Sequence, residues 1–450
     1  MRSSETAPTI SATARQLRNG AATSRSLTTA CLERIAELNP RLNAFITVLA
    51  DRALADASKA DAELASGTDR GPLQGIPLSL KDLIDLEGSP TTAASQLRQG
   101  HVARRDAPIV TRLKEAGAVF VGKCNLHEFA YGTTSEDSAY GPVRHPLDPS
   151  RSAGGSSGGS AVAIATGMCF ASVGTDTGGS IRIPAALCGI VGLKPALGEL
   201  PLSGIVPLSG SLDHVGPMTR SVEDAWIVLN AMRGESITSR GFSPLSLDQV
   251  RIGVPRSYFF DVLDDGVRAC FEERLKHLKA AGADVQDVWI PHGKDAPAIY
   301  LHIQAPEAAW VHARSLEQQP DAYSVNVRWR LEAGRYLLAE DHIRAQLGRR
   351  VLRHEVDETL QTCQALVLPT VPITSPPIGA VEVTAGGRTE LVRGLMLKLT
   401  QLFNLTGHPV ISIPAGVTDS GWPCGFQIVG RRGDTEALLK IAGACERAGR

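Results

Sequence analysis

The sequence predicts an α/β protein, and three stretches carry that prediction. Ile76, Leu78 and Leu80 alternate with Pro77 and Ser79, the period of a half-buried strand within 72–82. Pro108 to Ala116 has helix grammar, with proline early and Gly117 at the stop, and Ala118–Val121 follows as a strand. Arg251–Pro255, a helix over about 265–281 and a strand over 285–290 make a strand-helix-strand unit. A chain of 450 residues has room for two average domains or one large α/β domain.

The remaining elements follow from the same rules. Leu27, Cys31, Ile35 and Leu38 share one helical face, opened by Ser26 and stopped before Pro40, and 51–66 is an alanine-rich helix ending at Gly67. Asn125 with Glu128 three positions later reads as a helix start. Ala161–Ala165 fits a helix and Met168–Val173 a buried strand, while Ser221 opens a helix through Met232. Residues 234–249 are the one convincing loop, 296–362 are mostly helical, and 365–368, 410–413 and 426–429 are apolar strands before a last helix starting at Asp434.

Composition narrows the partners. A hydrophobic fraction of 43% and a charged fraction of 21% suit a globular protein with a large core. With 46 basic and 47 acidic residues the formal charge is -1, so no overall field favours nucleic acid or an anionic membrane, and a small ligand is expected. The eight cysteines form no CxxC pair and have no histidine at metal spacing, which makes them reduced core residues. The first residues lack the apolar core of a secretory signal and no stretch reaches about 18 apolar residues, so a cytoplasmic location is the expectation.

The most informative stretch is Ser152–Pro184. Two clusters, Gly154-Gly155-Ser156-Ser157-Gly158-Gly159-Ser160 and Gly178-Gly179-Ser180, flank the small-residue helix and strand. A flexible linker would not carry a core strand in its middle, and neither cluster is followed by the Lys-Ser/Thr of a phosphate loop. Gly117–Cys124 nearly spells such a loop, but Cys124 replaces its Ser/Thr and the intervening residues are strand-like. His127-Glu128 lacks a second histidine, since the position four residues on is Tyr131. His214 beside Asp213 is read as structural, and Asn404-Leu405-Thr406 matches a glycosylation acceptor that a cytoplasmic protein would not use.

The two clusters, the second within Gly-Thr-Asp-Thr-Gly-Gly-Ser-Ile-Arg, together with Gly75-Ile-Pro-Leu-Ser-Leu-Lys81-Asp82, resemble the signature of the amidase signature hydrolases. The likeness continues through Asp213–Arg220, Gln401–Pro409 and Gly425–Gly430, nearly the whole chain.

That resemblance implies a single large domain over 1–450, a mixed, twisted β-sheet covered by helices on both faces. N-terminal helices would occupy 1–70, the catalytic core 71–233 and a second part of the core 251–450, with 296–362 shaping the substrate pocket. It also implies a Ser-Ser-Lys relay with Ser180 as nucleophile, Ser156 on a cis peptide as the bridging serine and Lys81 as terminal base, without metal or cofactor. The backbone N–H groups of Thr177, Gly178, Gly179 and Ser180 would form the oxyanion hole, with Ser157 steadying the relay and Asp176 and Arg182 bracing the loop as a buried ion pair. Lys81 needs burial, because only desolvation brings an amine of pKa about 10.4 into range as a base.

The expected activity is hydrolysis of a small-molecule linear amide to an acid and ammonia or an amine through an acyl-enzyme. No nucleic acid or membrane partner is expected, and a homodimer is possible. The alternatives are the glutaminase subunit of a tRNA-dependent amidotransferase, a hydrolase of a urea-like amide, and a non-catalytic binding protein, which would require a broken relay.

Overall fold

The computed structural model describes residues 8–237 and 241–449. Its strands are β1 (Phe45–Val48), β2 (Pro77–Lys81), β3 (Val119–Cys124), β4 (Ala171–Asp176), β5 (Val191–Lys194), β6 (His214–Thr219), β7 (Arg251–Pro255), β8 (Asp284–Val288), β9 (Ala365–Pro369), β10 (Glu382–Ala385), β11 (Arg388–Leu391), β12 (Val410–Val417) and β13 (Pro423–Val429). Among the described residues, eleven of them join one sheet in the order β1-β3-β2-β4-β6-β5-β12-β13-β9-β7-β8, and β10 and β11 form a separate hairpin. The sheet is mixed. β2 runs parallel to β3 and β4, and β7 to β8 and β9, whereas the pairs from β4 through β6, β5, β12 and β13 to β9 are antiparallel.

The strand expected to be half-buried at 72–82 is buried at every position of β2, as are β3 and β4. Parallel neighbours on both edges and cover on both faces explain this, because parallel strands sit in the interior of a sheet. Ser79, the polar member of the alternation, is satisfied there by the Ser172 hydroxyl at 2.9 Å and the Cys124 thiol at 3.2 Å. Edge strand β8 is mostly exposed and carries Asp284 and Asp287, charges that discourage a further strand from pairing.

Three local expectations need correction. The helix opened at Ser26 is Ser24–Leu42, with Pro40 inside its last turn. A proline this close to the C-terminus gives up one amide hydrogen bond, and Asn43 ends the helix in the left-handed region at φ 54°. The cap is Thr23, whose hydroxyl accepts the Ser26 N–H at 3.0 Å. The helix start at Asn125 is a three-residue turn, Glu128–Ala130, because Phe129 and Ala130 are both left-handed. Glu128 accepts the distant Ser324 N–H at 2.8 Å instead of closing a capping box. The loop over 234–249 contains a short helical turn, Leu247–Gln249, and 238–240 lie outside the described residues.

The strand expected at 168–173 is β4 at 171–176, because Gly167 turns the chain at φ 73° and the next residues carry it to the sheet edge of β2. The Gly158–Ala165 helix before it and the Arg182–Cys188 helix after it are buried along most of their lengths. The 296–362 region is helical as expected, over Ala296–Gln318, Val325–Gly334 and Ala339–Thr362. None of the described helices is long and apolar enough to cross a membrane.

Candidate active site

Lys81 ends β2 and is wholly buried, with its Nζ 2.8 Å from Ser156 Oγ and 2.8 Å from Thr175 Oγ1. Burial lowers its pKa to about 7, with the negative charges of Asp176 and Asp213 working weakly the other way. Next along the chain, Asp82 pairs with Lys123 at 3.2 Å, so the neighbouring lysine is neutralised while Lys81 has hydroxyls as its hydrogen-bond partners. An amine in this state is mostly deprotonated just above neutrality and has a lone pair to offer.

The first glycine-serine cluster folds as a turn whose Gly155–Ser156 peptide bond is cis. Ser135 holds it from outside: its hydroxyl donates to the Ser156 carbonyl at 3.2 Å and accepts the Gly158 N–H at 3.1 Å. Gly159 is required by close approach, since a Cβ there would lie 2.4 Å from the carbonyl oxygens of Ala44 and Asn125. The Ser157 N–H donates to the Ser180 carbonyl at 3.1 Å and its hydroxyl to the Thr175 carbonyl at 3.2 Å, tying this turn to the second cluster.

The second cluster bridges β4 and the Arg182–Cys188 helix, and its shape depends on one buried ion pair. Asp176 Oδ1 and Oδ2 accept from Arg182 Nη2 and Nε at 3.0 Å each, and Oδ2 also accepts the Ile181 N–H at 3.1 Å. Burial pushes the Asp176 carboxyl up, but the charge and hydrogen bonds of Arg182 outweigh it and hold the group below the usual carboxylate range. Arg182 spends its other donors on Asn404 Oδ1 at 2.7 Å, Gln427 Oε1 at 3.0 Å and the Thr400 carbonyl at 3.1 Å. Asn404 returns a bond to Asp176 Oδ1 at 2.8 Å. Residues more than 200 positions apart thus fix one loop.

With its acceptors committed in this way, the loop is left with spare donors. The consecutive N–H groups of Thr177, Gly178, Gly179 and Ser180 donate to no described residue, although all four residues are buried. Unpaired buried amides are costly, and four in a row form a nest for negative charge. Gly179, at φ 141°, could not carry a Cβ without meeting Thr400 Oγ1 at 2.4 Å, and a Cβ on Gly178 would lie 2.5 Å from the Tyr300 hydroxyl. The Thr400 hydroxyl donates to the Gly178 carbonyl, and the Thr177 hydroxyl donates to Asp213 Oδ1 at 2.6 Å. Asp213 also accepts the Leu208 and Ser209 N–H groups, and burial raises it to about 6.

Ser180 keeps 6% exposure, whereas Lys81 and Ser156 have none, so a molecule from solvent meets Ser180 first. Its hydroxyl makes no hydrogen bond to a described residue. His214, paired with Asp176 across β6 and β4, has its Nδ1 2.7 Å from the Leu212 carbonyl and 3.3 Å from the Asp176 carbonyl, and burial, then the Lys194 charge, hold the ring neutral.

Of the residues expected to act, Lys81 and Ser156 are in contact and Ser157 joins the turn of Ser156 to that of Ser180, whereas no hydrogen bond links the Ser156 and Ser180 hydroxyls. Sequence reasoning missed the supports Thr175, Ser135, Asn404, Gln427, Thr400, Tyr300 and the role of Asp213. Asn404 and Gln427 lie in stretches already noted as similar to the family, which was the available signal. Nothing in the local pattern of Ser135 or Tyr300 marks them.

The arrangement offers a buried amine of lowered pKa, two serines and a nest of amides, the parts of an acyl-transfer site. A family model described as Amidase matches residues 26–439. A glutamyl-tRNA(Gln) amidotransferase subunit from Anaeromyxobacter dehalogenans is 38% identical, over 95% of this chain and 93% of that protein. A crystal structure of an amidase superposes with a TM-score of 0.93 at 38% identity, covering 98% of this chain and all of the other. The corresponding glutamyl-tRNA(Gln) amidotransferase subunit from Thermotoga maritima superposes at 0.78 with 34% identity, covering 94% of this chain and 91% of that one. On the match along its length and the amidase-like sheet, the chain belongs to the amidase signature family and is an amidohydrolase.

Proposed function

We propose that the protein is a stand-alone amidase that cleaves the C–N bond of a small carboxamide through a Ser180 acyl-enzyme. Neutral Lys81 takes a proton from Ser156 as Ser156 takes one from Ser180, and the freed Ser180 oxygen attacks the carbonyl carbon. The N–H groups of Thr177 to Ser180 hold the resulting oxyanion. When the C–N bond breaks, the proton returns along the same path to the departing nitrogen, releasing ammonia or an amine. Water then enters by the reverse sequence and frees the acid. Hydroxyls suit the middle of such a relay because each can donate and accept at once. The Ser180 hydroxyl is unbonded in the free protein, and a seated carbonyl draws it toward Ser156, since catalytic hydrogen bonds tighten in the substrate complex.

The single observation that carries this reading is the row of four unpaired amides ending at Ser180, within one loop of a lysine whose pKa is lowered to about 7. A second reading, the glutaminase subunit of a tRNA-dependent amidotransferase, is favoured by the name of the curated relative. The closer superposition on the amidase supports the stand-alone enzyme. Ammonia release from a panel of simple amides and from glutamine, with the chain alone and with candidate partner subunits, separates them. Release from simple amides by the chain alone is expected. Release from glutamine only when partners are added would overturn this reading in favour of the second.

A further inference from the structure

Two guanidinium groups converge on the Tyr131 ring, and no carboxylate of a described residue is bound to either. Arg330, on the Val325–Gly334 helix, donates through Nη1 to the Tyr131 carbonyl at 2.8 Å, and its guanidinium carbon is 6.0 Å from the Tyr131 ring centre. Arg393, on the Val392–Lys398 helix, lies 5.4 Å from the centre of the same ring. Both are half-buried, and Arg393 makes no hydrogen bond or ion pair to a described residue. The carboxylate that Arg330 feels most is Asp137, which is already engaged by His127 at 3.1 Å and by Asn326 at 3.2 Å. Burial and then the neighbouring Arg393 push Arg330 down to about 10, while the charge of Asp137 works the other way.

One cation stacked on Tyr131 would be an ordinary packing contact. Two like charges on one buried ring repel each other, and no carboxylate of a described residue is in contact with either. A second observation points the same way. Gln304, 1% exposed, lies near enough to the Tyr131 phenol to bias its titration, and its amide nitrogen has no hydrogen-bond partner among the described residues.

The helix that carries Arg393 also carries Leu397, whose Cδ2 lies 2.9 Å from where a Cβ on Gly178 would stand, and Arg330 holds the Tyr131 carbonyl four residues along the chain from His127. Tyr300, whose hydroxyl packs on Gly178, feels the charges of Arg393 and Tyr131. His127, which feels both arginines, donates its backbone N–H to the Ser156 carbonyl at 3.1 Å.

We propose that Arg330 and Arg393 together bind a carboxylate of the substrate, so that this site takes anionic amides, with a free carboxylate a few bonds from the carboxamide that is cleaved. The inference rests on the amidase reading above. The carboxylate is either the α-carboxylate of an amino-acid amide or the far end of a dicarboxylic half-amide, and the guanidinium forks accept both.

The test compares kcat/KM for succinamate, glutamine and butanamide in the full-length wild type, Arg330→Gln and Arg393→Met, together with calorimetric binding of succinate to each. The better of the two anionic amides is expected to exceed butanamide by about 100-fold or more, a ratio that falls below about 5 in Arg393→Met chiefly through KM. Succinate binding is lost in the same variant. Glutamine ahead of succinamate assigns the amino-acid source, and the reverse order the half-amide. Should Arg330→Gln fail to fold, Arg393→Met carries the test, because Arg393 makes no hydrogen bond to a described residue whose loss would weaken the fold. Butanamide turned over as well as both anionic amides, or a preference that survives both substitutions, overturns the inference and leaves the amidase reading standing. Succinate binding through both arginines with no amide turned over sinks the amidase reading and keeps the anion site, and the loss of both overturns both.

Discussion

Lys81 Nζ sits 2.8 Å from Ser156 Oγ and equally far from Thr175 Oγ1, in a pocket of the fold that water does not reach. The two hydroxyls orient the amine and neither neutralises it. Because burial has lowered the Lys81 pKa to about 7, kcat/KM for any accepted amide is expected to rise about tenfold per pH unit below that value and level off above it. A rate that falls steadily from acid to alkaline pH would contradict the assignment of Lys81 as base.

The same burial has a cost to stability. A lysine titrating near 7 when folded and near 10.5 when unfolded binds fewer protons in the folded state between those values, so its penalty is full below about pH 7 and fades as pH rises toward 10.5. Lys81→Met removes a penalty of about 4 kcal/mol at pH 7 and loses two hydrogen bonds of about 1 kcal/mol each. The variant is therefore expected to be inactive yet more stable to urea at pH 7, by about 2 kcal/mol, with the gain shrinking toward pH 10. An unfolded or unchanged variant at pH 7 would speak against a neutral buried lysine.

Asp176→Asn leaves Arg182 buried without its counter-charge, and a loss of about 3–5 kcal/mol is expected in equilibrium unfolding. Asp176→Asn combined with Arg182→Met should recover part of that stability without recovering activity, because the loop from Thr177 to Ser180 would still lack the bonds that shape it. Additive losses in the double variant would mean that the pair does not act as a unit.

Gly178→Ala brings a Cβ within 2.5 Å of the Tyr300 hydroxyl and is expected to lower kcat by about 100-fold with little change in thermal stability, by displacing an amide donor. Tyr300→Phe in the same chain removes the nearest atom and should restore part of the loss. No rescue would place the damage in the backbone of the loop itself.

The sequence made part of this legible and concealed the rest for physical reasons. Lys81, Ser156 and Ser180 stand in short local motifs whose glycines are required by close approach, so their spacing carries the signal. Local pattern missed Pro40, since its position in the last turn costs only one bond, and it misjudged β2, whose burial depends on the two parallel strands beside it. The supports of the second turn were hidden because Asn404 and Gln427 reach Arg182 across more than 200 residues of chain.

The most direct measurement is covalent labelling with a fluorophosphonate followed by peptide mass mapping, at pH 6 and pH 8. A relay that starts from neutral Lys81 predicts one modified residue, Ser180, labelled faster at pH 8 and hardly at all in Lys81→Met. A label on any other serine, or labelling of Ser180 that is indifferent to both pH and Lys81, would contradict it.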